Sequence, residues 1–368
     1  MTNGINIISK KIIVKTRGID CVCHVWHPRS PANSTNSVTS NGTQEEQQKI
    51  VNYDGSSYDC TSKPRGVVVI FHGLGAHAQF PTVKYLAILL ARHSFIVYGM
   101  DFPGHGESPG LRGYIDSAEN LISDGISVTL FAKKMHSQLP LFLAGGSLGG
   151  AIALAVTHEL HSSTYNTATG DDGGINMLAG LVLMAPMISL PNNIPKCQIC
   201  TLTILAKICP KLALFPPSSP DYNDDDDDDD DDHHPLNLQF RDKQRRLEVH
   251  QDKLSYQGSL RVASAFSCWK LMKIVHQSSF STLSIPFLLQ LGTEDVVVDN
   301  DIAKSELMGE RIPSKDKTLK EYDALHGLLC EELPLRTQIE KDILQWLSRR
   351  TIISPNLSKR QILTTTTT

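Results

Sequence analysis

Apolar and polar residues follow two different patterns along this chain. The stretch "KIIVKTRGIDCVCHVWHP" (11–28) alternates them about a glycine-containing turn, which predicts two paired, half-exposed strands. Further on the alternation disappears. "GVVVIF" (66–71), "FIVYGMD" (95–101), "LFLA" (141–144) and "LAGLVLMAP" (178–186) are short unbroken apolar runs, the pattern of strands buried on both faces. "IPFLLQLGTED" (285–295) and "KTLKEYD" (317–323) each predict a strand that runs into a loop. Between these runs, 82–92, 117–135 and 149–161 have helical composition, and Leu335 to Arg349 is an amphipathic helix. Strands alternating with helices predict a mostly parallel sheet covered on both faces. Ligands of such sheets bind just beyond the carboxyl ends of the strands.

Three stretches break the pattern. Residues 30–63 are rich in Ser, Asn, Thr and Gln and are expected to be a disordered insertion. The patch 162–174 and the Thr-rich tail 351–368 are low-complexity segments. Residues 187–270 hold the apolar piece "CQICTLTILAKICPKLALF" (197–215), a run of nine aspartates from Asp224 to Asp232, and the polar stretch "RDKQRRLEVHQDK" (241–253). The expected organisation is a core made of 1–186 and 271–350. A cap or lid spans 187–270, with a disordered acidic loop at 216–247, and a disordered tail follows at 351–368.

Composition narrows the setting. The chain has 368 residues, 40% of them hydrophobic, enough for one large α/β domain with insertions. Without the nine aspartates of the run, the formal net charge of −4 becomes +5. That is too weakly basic to predict nucleic-acid binding. No stretch has the form of a signal peptide or the roughly 20 apolar residues of a spanning helix. The expectation is a cytoplasmic protein with reduced thiols, able to lie peripherally on membranes or lipid droplets.

The chemistry gathers at strand ends. "Gly145-Gly146-Ser147-Leu148-Gly149" fits G-x-S-x-G between a strand and a helix, where a strained turn projects a serine hydroxyl from the sheet edge. A phosphate loop fails, because Ser147 takes the second glycine of G-x-G-x-x-G and no lysine follows. A serine nucleophile needs a base and an acid, expected after later strands in the order Ser, acid, His. Asp295 and His326 meet that order, with Asp299 and Asp301 as rivals for the acid. "Phe71-His72-Gly73-Leu74-Gly75" follows the strand 66–71, so the backbone N–H groups of Leu74 and Leu148 are the expected oxyanion donors. His72 is read as a hydrogen bonder within its turn, and the loop "DFPGHGES" (101–108) as a support for the serine turn. Gly73, Gly146, Leu202 and Leu205 are expected to touch substrate. Cys197, Cys200 and Cys209 lack a fourth ligand at metal-site spacing and are read as lid thiols. The Asp run with His233 and His234 is read as a solvated, self-repelling loop.

The set HGLG, DFPGHGES, GYIDS, GGSLGGA, GTED and "KTLKEYDALHGLLCEELP" resembles the monoacylglycerol lipase family of serine hydrolases, and also the plant lysophospholipase and caffeoylshikimate esterase group. The resemblance runs from about residue 65 to 350. It implies an α/β-hydrolase fold: a mostly parallel eight-stranded sheet flanked by helices, with a helical cap inserted after the sixth core strand. It implies no cofactor, and a Ser147–Asp295–His326 triad. Gly146 departs from it, since the family usually carries a histidine or other larger residue just before the serine. The expected function is hydrolysis of single-chain lipid esters, monoacylglycerol first. A lysophospholipase, a polar-ester carboxylesterase or acyltransferase, and a catalytically silent lipid-binding scaffold are the alternatives. The partners expected are the lipid ester and, through the cap, a membrane surface; the oligomeric state stays open.

Overall fold

Arg17 and Gly18, both at positive φ (48° and 82°), turn the chain back on itself between Ile7–Thr16 (β1) and Ile19–Pro28 (β2). This antiparallel hairpin starts the molecule, of which a computed structural model describes residues 7–28, 63–161, 177–190, 195–215, 236 and 238–351. The insertion expected at 30–63, the patch 162–174, the Asp run and the tail lie outside the described residues, apart from Lys63 and Thr351.

The next elements follow the predicted order: Gly66–Phe71 (β3), Pro81–Arg92 (α1), Phe95–Met100 (β4), Ala118–Met135 (α2), Leu141–Ser147 (β5), Leu148–His161 (α3) and Leu178–Pro186 (β6). Then come Lys196–Ile208 (α4), Ala213–Phe215 (β7), Lys243–His250 (α5), Leu260–Arg261 (β8) and Val262–Ile274 (α6). Phe287–Gly292 (β9), Asn300–Met308 (α7), Lys317–Tyr322 (β10) and Leu335–Arg350 (α8) close the chain. Eight strands form one sheet in the order β1-β2-β4-β3-β5-β6-β9-β10, parallel from β4 onward. This is the α/β-hydrolase arrangement expected from the sequence.

Every residue of β3, β4 and β9 is buried, which is why their sequences show no polar alternation. Val67, Val69 and Phe71 face one side and pack with residues of α2, α3 and α6. Val68 and Ile70 face the other and pack with α1 and α8. In α8 the buried Ile339, Ile343, Trp346 and Leu347 recur at helical spacing, each worth roughly 1.5–3 kcal/mol of apolar burial.

Between β6 and β9 the chain leaves the sheet. There α6 packs on α2 and α3, α4 packs on α6, and β7 pairs with β8. Two boundaries need correction. The division at 270 falls inside α6, whose buried Leu271 and Met272 continue the same packed face. The acidic loop expected over 216–247 ends earlier, because Leu236 and Phe240 are buried and α5 begins at Lys243. The polar sequence hid a helix start: the Asp242 carboxylate accepts from the Gln244 and Arg245 amides as an N-cap.

Candidate active site

Ser147 sits where β5 becomes α3, with φ at +53°, a region that costs a non-glycine residue roughly 1–2 kcal/mol. Tight packing over-determines this turn. A Cβ on Gly145 would lie 2.3 Å from the Gly149 carbonyl carbon, and one on Gly149 would lie 2.1 Å from the Phe71 oxygen. Both positions must be glycine for β5, α3 and the end of β3 to meet. The Met187 N–H donates to the Ser147 carbonyl at 2.9 Å, tying the turn to the end of β6.

Asp295 lies just past β9, and its side chain is fully buried. Its Oδ1 accepts from the amides of Val297 (2.8 Å) and Val298 (3.2 Å). Its Oδ2 accepts from Asn300 Nδ2 (3.1 Å) and from His326 Nδ1 (2.8 Å). A carboxylate flanked by two amides and an Asn NH₂ can only accept here, so His326 carries its proton on Nδ1 and leaves Nε2 free as a base. The rival acids have other work: Asp299 caps α7 by accepting from the Ile302 amide, and Asp301 is exposed in the first turn.

Residues that the sequence reading missed hold this arrangement. Asn300 also donates to the Gly292 carbonyl at 2.8 Å, fixing the acid's loop to β9. The buried Glu331 accepts from the Leu325 amide at 2.7 Å, just before His326, and meets Arg241 Nε at 3.2 Å. Burial pushes the Glu331 carboxyl up, while the Leu325 amide and Arg241 favour its charged form. The Gly327 amide donates to Gln239 at 2.8 Å, and a Cβ on Gly327 would lie 2.2 Å from the Phe240 ring. The histidine loop is therefore clamped by residues 239–241. The H-x-x-x-x-E spacing of His326 and Glu331 was the only available signal.

The loop after β3 is braced from three directions. His72 Nδ1–H donates to Gly73 O at 2.9 Å, and its Nε2 accepts from the Phe102 amide at 3.2 Å. His77 meets Asp252 at 2.6 Å, and the Tyr256 amide donates to Gly75 O at 2.7 Å. Asp101 accepts from the Ala78 amide (2.7 Å) and the Glu107 amide (2.8 Å). DFPGHGES thus supports the loop carrying Leu74, and its Phe102 joins the buried cluster that holds Phe71 and Leu148 beside the serine turn. Burial holds His72 well below the ordinary imidazole range and lowers His105 to about 4, so both are neutral props at neutral pH.

Ser147, His326, Gly73, Leu74, Gly146 and Leu202 all line one cavity of about 550 Å³. Leu74 makes no backbone hydrogen bond among the described residues, and Leu148 opens α3, whose first amides have no partner one turn back. Leu205 is corrected: α4 offers Gln198 and Leu202 to the cavity, while Leu205 lies about 4.5 Å farther along the helix axis and is not part of the wall.

A sequence profile of the family described as serine aminopeptidase, S33, matches residues 62–333. Human monoglyceride lipase is 26% identical over 309 residues, covering 82% of this chain and 90% of that protein. Caffeoylshikimate esterase of Arabidopsis thaliana is 23% identical over 292 residues, 78% of each chain. The crystal structure of a soluble variant of Saccharomyces cerevisiae monoglyceride lipase superposes with a TM-score of 0.66 at 19% identity, covering 93% of this chain and 96% of that one. The Paleococcus ferrophilus monoacylglycerol lipase gives 0.59 at 24% identity, over 78% and 96%. At these identities the two structures speak for the fold, and the profile for descent: the chain belongs to the serine aminopeptidase S33 family and is a serine hydrolase of the α/β-hydrolase fold.

Proposed function

We propose that this enzyme hydrolyses single-chain lipid esters, with monoacylglycerol as its preferred substrate, through a Ser147–His326–Asp295 triad. His326 Nε2 takes the Ser147 proton as Oγ attacks the ester carbonyl. Asp295 holds the imidazole through Nδ1–H and stabilises the imidazolium that forms. The amides of Leu74 and Leu148 receive the oxyanion, the second at the N-terminus of α3, where the dipole favours negative charge. His326 then protonates the departing glycerol oxygen, and water activated by the same base frees the fatty acid from Ser147.

The observation that carries this reading is the character of the cavity. It lies within the roughly 300–1,000 Å³ typical of small-molecule sites, and its walls are mostly aliphatic and aromatic. Among the described residues that line it there is no Lys, Arg, Asp or Glu; Thr82, Gln198 and Gln239 supply neutral polar groups. A glycerol headgroup suits such a lining, whereas the charged headgroup of a lysophospholipid would be desolvated without a partner. The test is kcat/KM across monoacylglycerols of increasing chain length, beside lysophosphatidylcholine and short water-soluble esters. Each methylene buried should add about 0.8 kcal/mol, close to fourfold in kcat/KM, until the cavity is full. A flat or falling series, or lysophosphatidylcholine turned over faster than the matching monoacylglycerol, would sink the assignment.

The region between β6 and β9 would act as the cap and would meet the lipid surface. On α4 and the segment after it, Ile204 (57%), Ile208 (71%), Leu212 (45%) and Leu214 (50%) stand exposed. No helix among the described residues is long and apolar enough to cross a membrane. Contact would be in the interface, by insertion of these side chains. The pair Ile204→Ser, Ile208→Ser is expected to weaken binding to phospholipid vesicles by about two orders of magnitude or more, at roughly 1.5 kcal/mol or more per isoleucine. A sedimentation assay showing equal binding of both proteins would refute this contact.

A further inference from the structure

Position 146 has no structural need for glycine. Along β5 the side chains alternate: Leu141 and Leu143 pack with α2 and α3, Phe142 and Ala144 with the α1 and α8 side. Gly146 continues the second set. A Cβ there would meet only Met184, at 3.5 Å to its carbonyl oxygen and 3.8 Å to its Cβ, which is ordinary contact. Its neighbours in the motif are different, since a Cβ at Gly145 or Gly149 would overlap backbone.

The space left vacant belongs to the cavity. Ile70, Val83, Met184, Leu328 and Leu329 line it from the same face as Gly146. Met187, Cys268, Met272 and Val298 line it from the opposite face. The cavity thus straddles the carboxyl edge of the sheet, with Ser147 between two apolar walls. One wall runs along Met187, Cys268, Met272 and Val298. The other begins at the missing side chain directly before the nucleophile, where only atoms close to the ester group of a bound substrate can reach.

Building on the serine hydrolase reading, we propose that Gly146 keeps open an apolar recess on the α1 and α8 side of Ser147. This recess receives a branch on an atom adjacent to the ester group, so that the enzyme accepts sterically branched esters. The branch could come from either half of the substrate: a 2-alkyl acyl group, or the carbon of a secondary alcohol. The shared chemistry is a small alkyl substituent one bond from the carboxyl ester. A side chain at 146 would fill the recess and leave the opposite wall untouched.

The test uses the full chain with active sites counted by fluorophosphonate titration, so that all rates refer to reactive Ser147. Octanoate and 2-methyloctanoate esters of butan-1-ol, and the octanoate of butan-2-ol, are compared in wild type, Gly146→Ala and Gly146→Val. The wild type is expected to turn over at least one branched ester within about tenfold of the linear one. Gly146→Val should lower that branched-to-linear ratio roughly 10- to 200-fold, the span a methylene or two commands in an apolar pocket. Gly146→Ala should lower it less and secures the comparison if valine impairs folding. A fall confined to 2-methyloctanoate places the acyl branch in the recess, and one confined to butan-2-yl octanoate places the alcohol branch there. A ratio that stays constant across the three proteins overturns the proposal, as does wild type that rejects both branched esters by more than a hundredfold. A wild type with no titratable serine overturns instead the hydrolase reading beneath it.

Discussion

Ser147→Ala is expected to lower kcat by about a millionfold, the usual cost of deleting the nucleophile of an intact triad. It should also abolish labelling by a fluorophosphonate. The substitution is clean because alanine keeps the Cβ that the strained φ of +53° already accommodates. Gly145 and Gly149 keep the close approach of β5, α3 and β3, and the Met187 amide still finds the carbonyl of residue 147. The folded state should therefore melt within a few degrees of wild type. Undiminished labelling in the alanine variant would mean that another residue is the nucleophile.

Asp295→Asn is expected to lower kcat by about ten-thousandfold with a modest rise or fall in KM. The cause is a conflict of donors. Asp295 Oδ1 accepts from two amides, so an asparagine must turn its own oxygen toward Val297 and Val298. Its NH₂ then faces His326 Nδ1 and the Asn300 NH₂. That arrangement forces the imidazole proton onto Nε2, where it can no longer take the serine proton, and sets two amide donors against each other. Stability should drop as well, by about 1–3 kcal/mol for buried polar groups left without partners. Measuring kcat and the denaturant midpoint together separates the two effects. A loss of activity under tenfold would remove Asp295 from its proposed role.

Much of this was legible in the chain itself. Unbroken apolar runs such as "GVVVIF" announced strands with both faces covered, and the residues just beyond them brought Ser147, Asp295 and His326 to one edge. What stayed hidden shares a physical feature. Arg241 and Gln239 act through contacts to a loop far away in sequence, Asn300 and Glu331 through hydrogen bonds to loop and strand-end residues nearby, and no periodicity marks either kind. Residues 238–247 fall in the disordered acidic loop expected over 216–247, because charges dominate the composition there. Phe240 and the capping Asp242 outweigh them once the segment docks on the histidine loop. Leu205 failed because helical spacing fixes a face but not how far along that face a cavity extends.

The parallel pairing of β6 with β9 carries a kinetic consequence. Residues 187–286 separate these neighbours, so the two can meet only after a long stretch of chain has been drawn into a loop, an entropic penalty that local contacts do not relieve. Ser147 rides on the portion of the sheet synthesised first, while Asp295 and His326 arrive with the last two strands. With the proposed triad, a nascent molecule that has not yet added β9 and β10 is held silent by topology alone.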